Sequence, residues 1–196
     1  MTELELLRLL RLNYPLWQAL RAARSLGLKN WYIGAGAICQ TVWNIRHYKP
    51  APADIKDVDL IYFDPDDLSA AGEAMIREAA MAQFSHLELP VEVVNQARVH
   101  LWYEEEFGFE IKPYQSSEQA IGTWPTTASS IGIHWSADDE IVIHAPFGLS
   151  DIDQMIVRPN KKLINQKIYE SKAERWKKQW PELTVVDWDA DQRING

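Results

Sequence analysis

Apolar positions recur with helical spacing from the start of the chain. Leu4, Leu6, Leu7, Leu9, Leu10 and Leu12 form a run that ends near Asn13-Tyr14. Pro15 then opens a second helix, because its fixed φ suits a first turn and its missing N–H has no role there. That helix carries Leu16, Trp17, Leu20 and Ala23 and stops at Gly27. Trp31-Tyr32-Ile33 is short and β-favouring, and it runs into Gly34-Ala35-Gly36-Ala37 before a periodic segment with Ile38, Val42, Trp43 and Ile45. The pattern is strand, glycine turn, helix.

Pro50 and Pro52 mark residues 47–56 as a loop, after which Val58, Leu60, Ile61, Tyr62 and Phe63 make the strongest strand signal in the chain. Pro65-Asp66-Asp67 ends that strand and can cap a helix over 69–84. A third strand is predicted over 89–95, with 97–103 continuing or pairing with it. Further along, the spacing predicts a short helix at 117–122, strands at 129–135 and 140–144, and helices at 150–156 and 161–179. Pro146-Phe147-Gly148 and Arg158-Pro159-Asn160 read as tight turns, not domain borders. The expected fold is α/β (α+β): one domain over 1–196, a mixed β-sheet flanked by helices, with additional N- and C-terminal helices.

Composition narrows the functions open to such a fold. At 46% hydrophobic and 24% charged the chain is ordinary globular protein, and its nine Trp read as packing. No stretch approaches the roughly 20 apolar residues of a membrane span, and the acidic, amphipathic start is unlike a secretory signal, so a cytoplasmic protein is expected. Cys39, the only cysteine, sits among small and apolar neighbours as a buried thiol, which leaves no disulfide or cysteine zinc cage. The five His form no metal-binding pair. A net charge of −8 disfavours an extended nucleic-acid groove and favours small substrates. The local exception is the basic stretch 158–178, whose plain reading is a solvated helix face.

The chemistry concentrates in carboxylates. Asp57 and Asp59 fall on the same side of a strand, with Cα atoms roughly 6 to 7 Å apart. Acidic residues also mark the ends of loops, but two converging carboxylates repel each other, and a hard divalent cation offsets that repulsion. Mg²⁺ suits them, since it combines a few carboxylates with waters and substrate phosphates. The turn at Gly34 to Ala37 lies between strand and helix, where free amides receive phosphate. In Val91-Glu92-Val93 an acid interrupts a β-branched run. Glu92 either faces solvent along an edge or joins a polar cluster inside the fold.

Ile33-Gly34-Ala35-Gly36-Ala37, Asp57-Val58-Asp59-Leu60-Ile61 and Val91-Glu92-Val93 together resemble the nucleotidyltransferase superfamily that includes polymerase-β-like and antibiotic-modifying enzymes. More closely, residues 31–63, 95–103, 145–149 and 157–160 look like a bacterial nucleotidyltransferase-like family. That likeness covers most of the chain but brings no substrate with it. It implies a nucleotidyltransferase-like core in which Asp57 and Asp59 bind metal and Glu92 completes an acidic triad. Gly34, Ala35 and Gly36 would support the nucleotide phosphates. Ser or Gly usually follows the first glycine, so Ala35 removes a hydroxyl contact.

The implied reaction transfers a nucleoside monophosphate from a nucleoside triphosphate to a small-molecule or protein acceptor, with one or two Mg²⁺ ions as cofactor. The alternative is a catalytically silent nucleotide-binding or regulatory module on the same fold. Arg98, the Arg158 turn and the helix from Lys161 are phosphate-contact candidates, with surface or structural ion pairs the competing reading. Trp102, Tyr103 and Trp124 can stack on a base or pack the core. His100 reads as a hydrogen-bonded structural histidine and Asp151 as a helix cap.

Overall fold

In the computed structural model, which describes residues 1–87 and 89–190, the longer helices begin where a short polar side chain precedes an apolar run. Position 88 and the last six positions of the expected 1–196 domain lie outside the described residues. Thr2 caps α1 (Glu3–Leu10) in a capping box with Glu5. Asn13 caps α2 (Tyr14–Arg24), with Pro15 in its first turn, and Ser69 caps α4 (Ala70–Phe84). The exception is α3 (Gly36–Arg46), which follows Ala35 and has no side-chain cap.

The sheet has five strands in the order β3-β2-β1-β4-β5. Central β1 (Tyr32–Gly34) runs antiparallel to β2 (Val58–Tyr62) and to β4 (Gly132–Trp135). β5 (Ile141–His144) closes one side as a hairpin partner of β4. On the other side β3 (Val91–Asn95) pairs parallel with β2, after the crossover through α4. The strand alternation sorts β2 by face. Val58, Leu60 and Tyr62 join the main core with α1, α2 and α3, whereas Ile61 belongs to a separate apolar cluster with Tyr32 and Ile121.

Three of the expected elements turn out differently. Residues 97–103 neither extend nor pair with β3, because Gln96–Leu101 forms a 3₁₀ helix. The Asn95 side chain accepts from Ala97 N–H at 3.1 Å and so bends the chain out of the ladder. The helix expected over 161–179 starts later, as α8 (Gln166–Gln179), where Asn165 accepts from Ile168 N–H at 3.0 Å. Three further short helices, α5 (Tyr103–Phe107), α6 (Ser117–Ile121) and α7 (Ser150–Asp153), lie between these elements. The helix expected at 150–156 ends early, and Ile156–Val157 (β6) instead pairs with Thr184–Val185 (β7).

The C-terminal helix is fixed by tryptophan. Trp43 of α3 meets Trp176 and Trp180 edge-on, with ring centroids 5.1 and 5.6 Å away, and all three are buried. Their indole N–H groups are satisfied where it matters for docking: Trp43 donates to Ile152 O at 3.1 Å and Trp180 to Asn44 Oδ1 at 2.9 Å. Replacing Trp43 by Ala leaves a large cavity between α3 and α8, and urea unfolding should show a loss of about 3–5 kcal/mol.

Candidate active site

The parallel pairing of β2 with β3 places Asp59 directly opposite Glu92. Partners in register on neighbouring parallel strands point to the same face, so both carboxylates lie on the face away from Val58, Leu60 and Tyr62. Asp57 stands just before β2 and is close enough to act on Asp59 electrostatically. Burial and the charges of Asp57 and Glu92 push the Asp59 carboxyl up to about 6, with Lys172 opposing them. Asp59 is thus brought opposite Glu92 and within electrostatic reach of Asp57. The side chains nevertheless stand apart: Glu92 is exposed, and among the described residues no three His, Cys, Asp or Glu side chains are gathered as a ligand set. Mutual repulsion favours this splayed arrangement, with Glu92 in solvent.

Asp59 forms part of the floor of a cleft of about 270 Å³. Ala35, Trp102, Tyr103 and Trp124 line it too. Asp57 and Glu92 line not this cleft but a separate hollow of about 560 Å³ at the β3 edge, beside Arg77. The carboxylates thus lie between two openings.

The glycine turn is tightly determined. A Cβ on Gly34 would come within 2.7 Å of the Trp124 ring and 2.8 Å of Ile131 O, so no larger residue fits between β4 and that indole. Ala35 has φ +56° and ψ −135°, a region that glycine adopts readily and alanine does not. Its N–H is spent on Ile131 O at 3.0 Å. The first turn of α3 follows without a side-chain cap, so no capping side chain occupies its first amides.

Lys172 is the cation that sequence reasoning left undistinguished within the basic stretch. Among the described residues it is the only Lys or Arg lining the cleft. It is half-buried, with Nζ 4.7 Å from the Trp176 ring centroid. Burial pulls its ammonium below the usual lysine range, while neighbouring Asp59 and Asp57 work the other way. A helical period hints that Lys172 could share a face with Ile168, but only the Trp43–Trp176 contact shows that this face is turned inward.

Other candidates are committed elsewhere. Arg98 is buried, pairs with Glu73 through Nη1 and donates from Nε to Leu68 O at 3.0 Å, so it acts in the fold on α4 and does not line the cleft. Arg158 pairs with Asp151 at 3.0 Å. Asp151 is no cap: it sits within α7 and also accepts from Thr127 Oγ1 at 2.6 Å. His100 differs from the hydrogen-bonded histidine expected, since its buried Nδ1 has no partner among the described residues. Cys39 is buried as expected, and desolvation pushes its thiol up to about 12.

A family model described as nucleotidyltransferase matches residues 21–185. The chain belongs to this nucleotidyltransferase family. Its fold agrees: a solved structure reported to reveal "a CCA-adding enzyme head domain" is similar with a TM-score of 0.78 and 24% identity, covering 95% of this chain and 96% of that one. Two structures of tRNA-processing enzymes, each 16% identical, match 90% of this chain with TM-scores of 0.53 and 0.54. This chain spans 48% and 46% of their lengths. At these identities the likeness is one of fold. No curated protein sequence matches. Membership supports nucleotidyl transfer as the class of chemistry, and among the described residues no helix is long and apolar enough to cross a membrane.

Two measurements check this geometry. Ala35→Gly relieves the strained φ, and urea unfolding should show a gain on the order of 1 kcal/mol after the extra unfolded-chain entropy is subtracted. Asp59, raised to about 6, favours folding when protonated, and this contribution is lost as pH rises from its unfolded value near 3.8 through about 6. Asp59→Asn should therefore be the more stable protein near pH 7.5 by up to about 2 kcal/mol, discounted for partial exposure, with the gain gone below about pH 4. A gain of equal size at both pH values would reject carboxylate repulsion as its source.

Proposed function

We propose that the cleft is the active site of a Mg²⁺-dependent nucleotidyltransferase that moves a nucleoside monophosphate from a nucleoside triphosphate to an acceptor hydroxyl on a small molecule or a protein. The observation that carries this reading is the Asp59–Glu92 register beside Asp57, with Asp59 lining a cleft that also receives Ala35, at the uncapped start of α3, and Lys172.

Mg²⁺ fits the donor set. Asp57, Asp59 and Glu92 are all hard oxygen ligands, and their mutual repulsion is what a divalent cation relieves. Asp57 and Asp59 would hold one ion, and Glu92 could help hold a second. When bound, the metal neutralises phosphate oxygens and the departing pyrophosphate. The protein's own groups do the rest. The amides at Gly36 and Ala37 and the Lys172 ammonium attract the triphosphate and fix its α-phosphorus over Asp59. The acceptor enters from the hollow bordered by Asp57 and Glu92, and its oxygen attacks the α-phosphorus. The bond from that phosphorus to the oxygen bridging toward the β-phosphate breaks, pyrophosphate leaves, and Glu92 takes the acceptor's proton.

The net charge of −8 supports a small or protein acceptor. Arg158 and Lys161 of the basic stretch already have partners, which removes them from an open phosphate track. The tRNA-processing neighbours keep a nucleic-acid acceptor as the competing outcome of an acceptor screen. Ala35, which offers no hydroxyl, favours the second reading of a silent nucleotide-binding module.

Isothermal titration with non-hydrolysable triphosphates should show binding that requires Mg²⁺ and disappears in Asp57→Ala and Asp59→Ala. Unchanged binding in both variants would remove the assigned site. Labelled ATP, GTP, CTP and UTP incubated with cell extract separate enzyme from silent module, because an Asp59-dependent labelled product excludes the latter.

A further inference from the structure

The five-stranded sheet ends in two edges, and they differ. At β3, Val93 is fully buried and Asn95 donates its N–H to Glu73 Oε1 at 2.9 Å, so α4 helps close that side. At β5 none of the four residues is buried, and its strand partner is β4 alone among the described residues. Ser136 N–H donates to Glu140 O at 2.8 Å, next to the Trp135–Ile141 pair. Antiparallel pairs alternate between bonded and unbonded, so Val142 and His144 turn their backbone groups toward β4, and Ile141 and Ile143 turn theirs outward. Among the described residues no other backbone group meets them. Natural edges are blunted by proline, lysine or a bulge, and Ile141-Val142-Ile143 carries none of these.

The side chains of this edge complement themselves. Glu140, Val142 and His144 alternate onto the face that carries Asp59, through the row His144, Gly132, Gly34, Asp59 across four strands. Val142 is 39% exposed there, whereas Ile141 and Ile143 pack on the core from the other face. Two copies of β5 laid antiparallel, with Val142 opposite Val142, set Ile141 against the partner's Ile143 and Glu140 against the partner's His144, twice by symmetry. A carboxylate across from an imidazole N–H is complementary whether or not the ring is charged. Neighbouring registers lose this match. A shift of two residues toward the turn requires Asp139 to extend a strand, which its φ of +66° prevents. A shift the other way sets Glu140 against Pro146, which has no N–H to donate.

We propose that β5 is the interface of a homodimer, in which two chains join edge to edge about a two-fold axis through Val142, with Glu140 of each opposite His144 of the other. Their sheets merge into one, with five strands from each chain. The axis is perpendicular to that sheet, so both Asp59 clefts open on the same side, roughly 34 Å apart across strands spaced about 4.8 Å. Neither cleft borrows a residue from the other chain, and the interface does not depend on what the cleft binds. Because α4 helps close the β3 edge, growth stops at two copies. Repulsion between chains of net charge −8 is screened within about 8 Å at physiological salt, so contacts at the edge decide. Two such short edges make a small interface, and the expected dissociation constant is roughly 10 to 500 µM.

Sedimentation velocity of the full chain at physiological salt, over a concentration range spanning that constant, tests the interface. The mass should rise from monomer toward dimer and no further. Val142→Lys sets two ammonium groups against each other on the axis and should keep the chain monomeric throughout, with an unchanged urea midpoint showing that it is folded. Glu140→Lys and His144→Glu should each weaken association by about 5-fold, and the double variant, which swaps the pair, should recover it. Glu140 is exposed, so its variant keeps the test open if Val142→Lys does not fold. A parent chain that stays monomeric, or a dimer that survives Val142→Lys, would overturn the interface. Loss in both single variants without recovery in the double would overturn the register. Growth beyond two copies would overturn the closed two-fold arrangement.

Discussion

The parallel pairing of β2 with β3 is the constraint on which the rest of this molecule depends. One register out of step, and Glu92 would face the core side of the sheet while Asp59 faced the cleft. The register is held by apolar residues: Leu60 and Val93 are fully buried partners, so a slip would carry them into solvent. Hydrophobic burial on one face thereby fixes carboxylate proximity on the other. The electrostatic cost is visible in Asp59, raised to about 6, and is tolerated because the buried face supplies the stability.

Around that pair the fold assembles opposite charge from distant parts of the chain. α3 brings its uncapped start to the cleft because Gly34 alone fits between Trp124 and Ile131. α8 brings Lys172 because Trp176 and Trp180 are locked onto Trp43. The same tryptophans that account for much of the core therefore aim a cation at the aspartates. Strain at Ala35 is the local cost of entering α3 directly from β1.

Buried polar groups separate scaffold from cleft. Glu73 and Arg98 satisfy each other, and Glu73 also accepts from Asn95 N–H at 2.9 Å, so this cluster holds α4 on β3 and leaves no valence for a ligand. Asn13 does similar work for α2 and α3, donating to Thr41 Oγ1 at 2.7 Å. Lys172 and Asp59 line the cleft and belong to neither of these clusters.

Much of this was legible in the chain itself. Period and punctuation located β1, α3, β2, α4 and β3, since those patterns report which side of each element is apolar. The spacing of Asp57 and Asp59 predicted a common side for them, and the glycine turn marked a helix start, which the structure places after Gly34, the residue paired with Asp59. Local pattern could not show that Asn95 would cap its own exit and turn 97–103 into a 3₁₀ helix, because that depends on a side chain choosing a backbone partner over solvent. Nor could it distinguish Arg98, consumed by Glu73, from Lys172, which enters the cleft: both are basic residues in helical segments, and their fates differ only by which distant carboxylate the packing brings near. The sequence determined the elements and the acidic pair because those rest on neighbours a few residues apart. Tertiary structure alone decided the strand register opposite Glu92 and the inward face of α8, because each is set by contacts between segments far apart in the chain.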